Sequence, residues 1–466
     1  MTVLNTQIAE TINITENGQY DVARYTTANV STPAAPAYYI EKTVDANGKL
    51  VNSTNIINLN GVQDVGNSVL QNAYVNVSFP ANTTADFSGL TSISGISACY
   101  SMFSGCTGLT SVDLSGLTTI SNGSACTTMF QNCTNLTSVD LSSLTTIDGA
   151  YACSNMFKGC TRITSVYLPN LTTINGNSVC QSMFQNCSGI TNVDLSGLIS
   201  ISGDSPCQDM FGGCTNLTSV DLSSLTTPSC NAMFSGCTNL TSVDLSSLTT
   251  LNKAYGIRYM FQNCTSLTNV NLSSLTTITG ATACEYTFIG CTGLTSIDLS
   301  SLTTIDGSSP CRFMFQNCTG LTSVNLSGLT TISNRESCKG MFQGCTGLTS
   351  VDLSGVTTLG GQSSCQQMFY SCTGLTSVDL SGVTTINGTY TCSTMFGGCT
   401  SLATVYIGGT TAINFGTQTT HFASMFQGCT QNIDVYAPAA NQTQIEAFSG
   451  YPNFGGTGTV TWHWRS

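Results

Sequence analysis

Cysteine is the most reactive residue type in this chain, and 24 cysteines recur along it at regular intervals. Eleven pairs are separated by seven residues, as in Cys99 and Cys106, whereas Cys264 and Cys429 lack a first partner. Such a set could ligate metal ions, form disulfides, or lie buried as free thiols.

The spacing of the cysteines favours the third of these alternatives. Zinc sites use C-x-x-C knuckles, and only His421 and His463 could complete a ligand set. Seven helical residues span about 10 Å, beyond the ~7 Å that a disulfide allows between Cα atoms, although bridges between neighbouring modules stay open. Ile257 stands at one first-cysteine position, so an apolar side chain can take the place of cysteine there. We therefore expect core thiols, with no metal and no cofactor.

A column of acidic residues is the second candidate for chemistry, because one Asp recurs in the same place in most modules. As a functional site it would be a cation- or glycan-binding strip. The alternative, which we favour, is a solvated column in which each Asp bonds nearby hydroxyls or amides. The acidic members are Asp113, Asp140, Asp194, Asp221, Asp244, Asp298, Asp352 and Asp379, and the column is interrupted by Tyr167, Asn271, Asn325 and Tyr406.

Composition excludes several function classes. Charged residues make up 7% of the chain, the net charge is −12, and the 11 basic residues form no stripe, which argues against nucleic-acid partners. No apolar run approaches the ~20 residues that cross a bilayer, and residues 1–10 do not resemble a signal peptide. No nucleophile elbow, phosphate loop or zinc helix occurs, so we expect no enzyme.

The elements that position these residues follow from a repeat of 27 residues. The second cysteines lie 27 apart, except for steps of 23 (Cys214 to Cys237) and 30 (Cys399 to Cys429). A period of this size predicts a solenoid. In one module the inward residues of a short helix are spaced i, i+3, i+4, i+7, and those of a strand follow. This structural core comprises Cys126, Met129, Phe130 and Cys133, then Leu136, Val139 and Leu141.

The predicted fold is an α/β repeat solenoid of about thirteen modules, with a parallel sheet on one face and short helices on the other. We divide it into an N-terminal β-rich segment (1–32), a linker and N-terminal cap (33–86), the solenoid (87–437) and a C-terminal cap (438–466). A closing helix over 442–448 and a last strand over 457–464 are expected. Trp462 and Trp464 would cover the core there, or form a binding site at the tip.

The module M-F-x-x-C-x-x-L-x-x-V-D-L-S, as in Met129 to Ser142, resembles the BspA-type leucine-rich repeats of bacterial, mycoplasma and protozoan surface proteins. The resemblance implies a leucine-rich-repeat fold and adhesion to host proteins or cells. The segment Ile14 to Val22 resembles a short stretch in structural and tail proteins of phages that infect gut bacteria.

We therefore expect a non-enzymatic recognition or adhesion protein on a virion or extracellular surface, with a phage tail-associated host-binding role ahead of a bacterial adhesin. A self-assembling fibre or shell component and an ice-binding protein are the alternatives. The expected partner is a host or cell-surface protein or glycan, and assembly into homo-oligomers is open. Sequence variation concentrates just before the first cysteine, at an edge that could carry the binding surface.

Overall fold

The computed structural model describes residues 3–4, 56–58, 63–68, 70–72, 74–76, 79 and 81–466. They fall into two compact units, Met1–Asp221 and Leu222–Ser466. Both units are solenoids of short parallel strands, which confirms the predicted fold class. The N-terminal segment that resembles phage proteins and most of the proposed linker lie outside the described residues.

The first unit contains two kinds of parallel ladder. The strands are β1 (Val3–Leu4), β2 (Ile56–Asn58), β3 (Asp64–Val65), β4 (Thr83–Asp86), β5 (Ser92–Ile93), β6 (Leu109–Asp113), β7 (Thr119–Ile120), β8 (Ser138–Asp140), β9 (Thr146–Asp148), β10 (Ser165–Tyr167), β11 (Thr173–Asn175), β12 (Asn192–Asp194), β13 (Ser200–Ser202) and β14 (Ser219–Asp221). The odd-numbered strands pair in chain order, as do β2, β4, β6 and β8, and likewise β10, β12 and β14. Strands β3 and β4, in the segment assigned above to the linker and cap, thus already pair within the ladders.

The second unit repeats this arrangement. Its strands are β15 (Ser242–Asp244), β16 (Thr250–Leu251), β17 (Asn269–Asn271), β18 (Thr277–Ile278), β19 (Ser296–Asp298), β20 (Thr304–Asp306), β21 (Ser323–Asn325), β22 (Thr331–Ser333), β23 (Ser350–Asp352), β24 (Thr358–Leu359), β25 (Ser377–Leu380), β26 (Thr385–Ile386), β27 (Thr404–Ile407), β28 (Ile433–Pro438) and β29 (Val460–Arg465). The even-numbered strands from β16 to β26 form one ladder. The other ladders are β15–β17, β19–β21 and β23–β25–β27–β28–β29.

Identical residues stack from turn to turn because the register follows the repeat. Val112 pairs with Val139, and Ile120 with Ile147. The buried phenylalanines form a ring stack: in the first unit the centroids from Phe103 to Phe211 lie 5.2–5.5 Å apart. All seven residues of the predicted core, Cys126, Met129, Phe130, Cys133, Leu136, Val139 and Leu141, are buried. Each apolar face is therefore covered by its neighbours, as in other repeat proteins.

The short helix predicted in each module is wrong. The backbone turns repeatedly instead, with positive φ at every fourth residue, for example Ser124 (56°), Thr128 (55°) and Asn132 (59°). Between them, alternate N–H groups donate to the next turn of the solenoid, such as Phe130 to the Met156 carbonyl at 2.8 Å. The intervening N–H groups donate three residues back, so the backbone is satisfied without i→i−4 bonds. We call the side of the solenoid formed by these segments, residues 124–132 and their equivalents in the other modules, the turn side.

The left-handed residue before the second cysteine, which the sequence predicted, is present. It is Asn132, Asn186, Asn263 or Asn317 in some modules and Gly in most others, with φ between 57° and 75°. Where one module has Asn at this position and the next module has Gly, the Asn amide lies over the Gly. A Cβ on Gly159 would therefore be 2.4 Å from Asn132 Oδ1. The choice of residue in one module therefore depends on the module before it.

The C-terminal cap has the predicted elements. A 3₁₀ turn (Ala439–Asn441) leads into α1 (Gln442–Glu446), and β29 is the last strand. Phe415, Phe422 and Phe448 pack edge to face beneath them. His421 is fully buried in this cluster, and its Nε2 lies 2.9 Å from the Phe415 carbonyl oxygen. Burial lowers the pKa of His421, so the ring is held neutral.

Candidate functional site

The acidic column lies on the outward surface of the strands that contain the buried valines, which we call the strand face. In the first unit the ladders place Asp86 beside Asp113, Asp113 beside Asp140, and Tyr167 beside Asp194. Asp194 in turn pairs with Asp221. Strand spacing puts successive members about 4.8 Å apart. The column predicted from the sequence is thus assembled in space.

Eight carboxylates of this column are oriented by their own backbone. One oxygen, Oδ1, accepts the N–H of the residue two positions later, as in Asp113 with Ser115 at 2.9 Å and Asp140 with Ser142 at 2.9 Å. Such Asx turns are the local bonds that aspartate favours. Where Ser354 donates both its hydroxyl and its N–H, the pKa of Asp352 is lowered. The same bond occurs for Asp86, Asp194, Asp244, Asp298, Asp352 and Asp379.

The asparagines of the column make the same turn without the charge. Asn271 and Asn325 accept the N–H groups of Ser273 and Ser327 at 3.2 Å. Asn271 also donates its Nδ2 to Asp244 Oδ1 at 3.1 Å. An amide between carboxylates therefore removes like-charge repulsion and adds a hydrogen bond. In the second unit this makes Asp and Asn alternate from residue 244 to residue 352.

A groove of about 700 Å³ follows the column in the first unit. Its floor includes Asp86, Asp113 and Asp140 together with serine hydroxyls, and Tyr167 stands at one side with 55% of its surface exposed. No group of three or more His, Cys, Asp or Glu residues suited to a metal ion occurs in the described part of the chain. The cation-binding interpretation stays a prediction, whereas hydroxyl groups of a ligand would meet oriented acceptors in this groove.

All 24 cysteines are free and buried, as the core-thiol interpretation predicts. The two members of a pair differ in role. Most second cysteines donate the thiol to a phenylalanine carbonyl 30 residues earlier, as Cys133 does to Phe103 at 3.1 Å and Cys160 to Phe130 at 3.1 Å. First cysteines contact one another from turn to turn, as Cys153 does with Cys126 and Cys180. Burial raises the pKa of Cys133 to about 12, so this thiol is unreactive in the fold.

The strand face ends in an aromatic group at β27 to β29. Tyr406, Tyr436 and His463 stack with centroids 4.9 and 4.7 Å apart, and His463 Nε2 lies 2.8 Å from Asp434 Oδ1. Trp462 and Trp464 stack on each other at 5.7 Å. Trp462 donates to the Pro452 carbonyl at 3.0 Å. The tryptophans therefore help to close the last turn, as a hydrophobic cap does.

One cluster on the turn side was missed from the sequence. The residue that follows the first-cysteine position is charged in four successive turns and is basic in all of them except one. We call this run the edge ladder: Arg258, Glu285, Arg312 and Lys339. Glu285 is buried between Arg258 (2.7 Å) and Arg312 (3.1 Å). The sequence does indicate this cluster, because the four positions are 27 residues apart and therefore fall at the same place in successive modules.

A family model described as "BspA type Leucine rich repeat region (6 copies)" matches residues 49–181, 87–205, 177–308, 258–390 and 285–431, which together span most of the chain. The chain belongs to the BspA-type leucine-rich repeat family. A solenoid of this family is commonly a non-enzymatic scaffold for binding, on surface proteins in particular. No curated protein matches this BspA-type chain.

Solved leucine-rich-repeat structures resemble this BspA-type protein at low identity. The leucine-rich repeat protein of T. pallidum is 24% identical, with 40% of this chain and 77% of that chain covered and a TM-score of 0.29. A leucine-rich repeat protein from Eubacterium ventriosum is 21% identical over 63% of this chain and 78% of that one, with a TM-score of 0.32.

Within the described residues, no helix has the length and apolarity that crossing a membrane requires.

Proposed function

We propose that this BspA-type protein is a non-enzymatic recognition protein that adheres to a cell-surface glycan through the strand face of its first unit. The observation that carries the proposal is the groove in which Tyr167 stands beside oriented carboxylates and serine hydroxyls. Carboxylate oxygens held by Asx turns are fixed acceptors for sugar hydroxyls, and those hydrogen bonds are charge-assisted. A half-exposed tyrosine offers an apolar surface with a polar edge.

The lining of the groove favours a neutral glycan over a protein partner. Protein interfaces depend on buried aromatic and arginine anchors, whereas this groove has one tyrosine and otherwise short polar side chains. It contains no basic residue, so acidic ligands would be repelled. A few fixed polar groups around a concave surface are sufficient to orient a small ligand.

The proposal is tested on a glycan panel and on host cells with three variants. Tyr167→Ala and the double variant Asp113→Asn/Asp140→Asn should each weaken binding by about tenfold or more, the loss of one good contact. Folding is preserved in the double variant because Asn271 and Asn325 already make the same turn. Asp298→Asn in the second unit is the matched control and should bind as the parent does. Equal binding by all variants would show that the ligand uses another surface.

We propose further that this recognition takes place on a virion, as a phage tail-associated host-binding component. The support is the resemblance of Ile14 to Val22 to phage structural and tail proteins. Immunogold labelling of purified particles should place the protein on the tail, and tail genes should neighbour its own gene. Labelling of bacterial cells in the absence of particles would favour a cell-surface adhesin instead.

A further inference from the structure

Basic residues are concentrated at the turn side of four successive modules in the second unit. Five of the eight Lys and Arg residues in the described part of the chain lie between residues 253 and 339. Besides the basic members of the edge ladder, they include Lys253 and Arg335, both exposed. In a chain with a net charge of −12, this surface has an excess of positive charge, since only Glu285, Asp306 and Glu336 oppose it.

The edge ladder is held rigidly. Glu285 is only 3% exposed and bonds both arginines, so their guanidinium groups are fixed. The aromatic residues beside it, Tyr259 and Tyr286, stack at 4.9 Å, and the Arg258 guanidinium lies 4.7 Å from the Tyr259 ring centre. A fixed array of charges loses little conformational entropy when it meets a partner.

The strand face of the same unit has the matching pattern. There Asp244, Asp298 and Asp352 alternate with Asn271 and Asn325 over five modules, without any basic residue in the column. The edge ladder has positive charge at Arg258 and Arg312 with Glu285 between them. From Arg258 to Arg312 the edge ladder repeats every two turns, about 9.6 Å, as the strand-face pattern does. A second copy set against the first in register places each arginine opposite an aspartate and Glu285 opposite an asparagine.

We propose that two copies of this chain associate by placing the edge ladder of one on the strand-face column of the other, both within residues 222–466. The two surfaces differ, so the contact is heterologous, and repetition would extend it into chains or close it into rings. Electrostatic complementarity of this kind selects partner and register. The groove in the first unit is not used, and the association is independent of the proposed glycan binding.

Sedimentation velocity measures the association. The parent protein should associate increasingly with concentration at about 0.01 M salt and dissociate at about 1 M salt, where the Debye length falls from about 30 Å to about 3 Å. An edge variant, Arg258→Gln/Lys339→Gln, and a strand-face variant, Asp298→Asn/Asp352→Asn, should each raise the dissociation constant by about tenfold or more. Glu285 keeps Arg312 as a partner in the edge variant.

Mixing the two variants distinguishes the proposed contact from misfolding. The edge variant retains an intact strand face and the strand-face variant an intact edge ladder, so the mixture should form one-to-one dimers that neither variant forms alone. Asp113→Asn/Asp140→Asn, in the first unit, should associate as the parent does. The proposal is overturned if the parent stays monomeric at low salt, if the mixture does not dimerise, or if the edge ladder binds only an unrelated acidic protein.

Discussion

At the scale of single residues, the two cysteines of a module are chemically alike but have different environments. Cys284 is a first cysteine whose thiol contacts that of Cys311, in a column where Ile257 replaces its equivalent. Cys291 is a second cysteine whose thiol donates to the Phe261 carbonyl at 3.0 Å. Cysteine combines a small apolar body with a weak donor, so it suits both positions.

Substitutions by Val and Ser should therefore have opposite rankings at these two positions. Cys284→Val is expected to be tolerated, because Ile257 already occupies the equivalent position. Cys284→Ser buries a hydroxyl whose neighbour, the Cys311 thiol, is only a weak hydrogen-bond partner, and should lower the free energy of unfolding by about 1–3 kcal/mol. At Cys291, Ser keeps a donor to the Phe261 carbonyl, and Val loses it at a cost of about 1 kcal/mol. Urea unfolding of the four variants measures the ranking. The same order of Val and Ser at both positions would contradict the assignment of roles.

At the scale of elements, the turn side explains why sequence reasoning predicted the core but not the backbone. The spacing of Cys126, Met129, Phe130 and Cys133 correctly identified four inward residues. Inward residues at i, i+3, i+4 and i+7 fit a helix, but they also fit a chain that turns with positive φ at every fourth residue. Neither Ser124 nor Thr128 is a residue type that marks such a turn, so the helix was the reasonable expectation. Only the Gly or Asn before the second cysteine indicated a left-handed backbone in the sequence.

The column of left-handed residues before the second cysteine gives a prediction at this scale. Gly344 (φ 73°) and Gly398 (φ 70°) have the same backbone, but a Cβ would lie 2.4 Å from Asn317 Oδ1 at the first and 3.3 Å from Ser371 Oγ at the second. Asn tolerates positive φ, so Gly398→Asn should change stability by less than about 1 kcal/mol. Gly344→Asn should lose about 1–3 kcal/mol through overpacking.

Thermal unfolding of the two Asn variants provides the comparison. A lower melting temperature for Gly344→Asn alone is expected. If both variants lose equal stability, backbone strain and not the neighbouring amide determines the choice of residue in this column.

At the scale of the whole molecule, features that depend on register across modules were the hardest to obtain from the sequence. The acidic column was found because one Asp recurs in most modules. The edge ladder was not, because Arg258, Glu285 and Arg312 differ in type, and only alignment at 27 residues shows that they share a position. The groove at Tyr167 depends on side-chain conformation, which periodicity does not determine.

The buried thiols should make the molecule sensitive to alkaline pH. Burial raises the pKa of Cys230, Cys291, Cys365 and Cys372 in the second unit to about 12, whereas an unfolded thiol has a pKa of about 8.5. The unfolded chain therefore loses protons first as pH rises. Stability is fully present below about pH 8.5 and is lost as pH rises toward 12, by up to about 1.4 kcal/mol per pH unit for each thiol.

Four such thiols together remove about 5 kcal/mol per pH unit, which is comparable to the total stability of a typical domain. We therefore expect cooperative unfolding within one or two pH units above about pH 9, which circular dichroism can monitor. All 24 thiols should become reactive in the same transition. Replacing Cys230 and Cys365 by Val removes two of these ionisations, so the midpoint should move to higher pH. Tyrosine and lysine ionise in both proteins alike, and an unchanged midpoint would assign the transition to them.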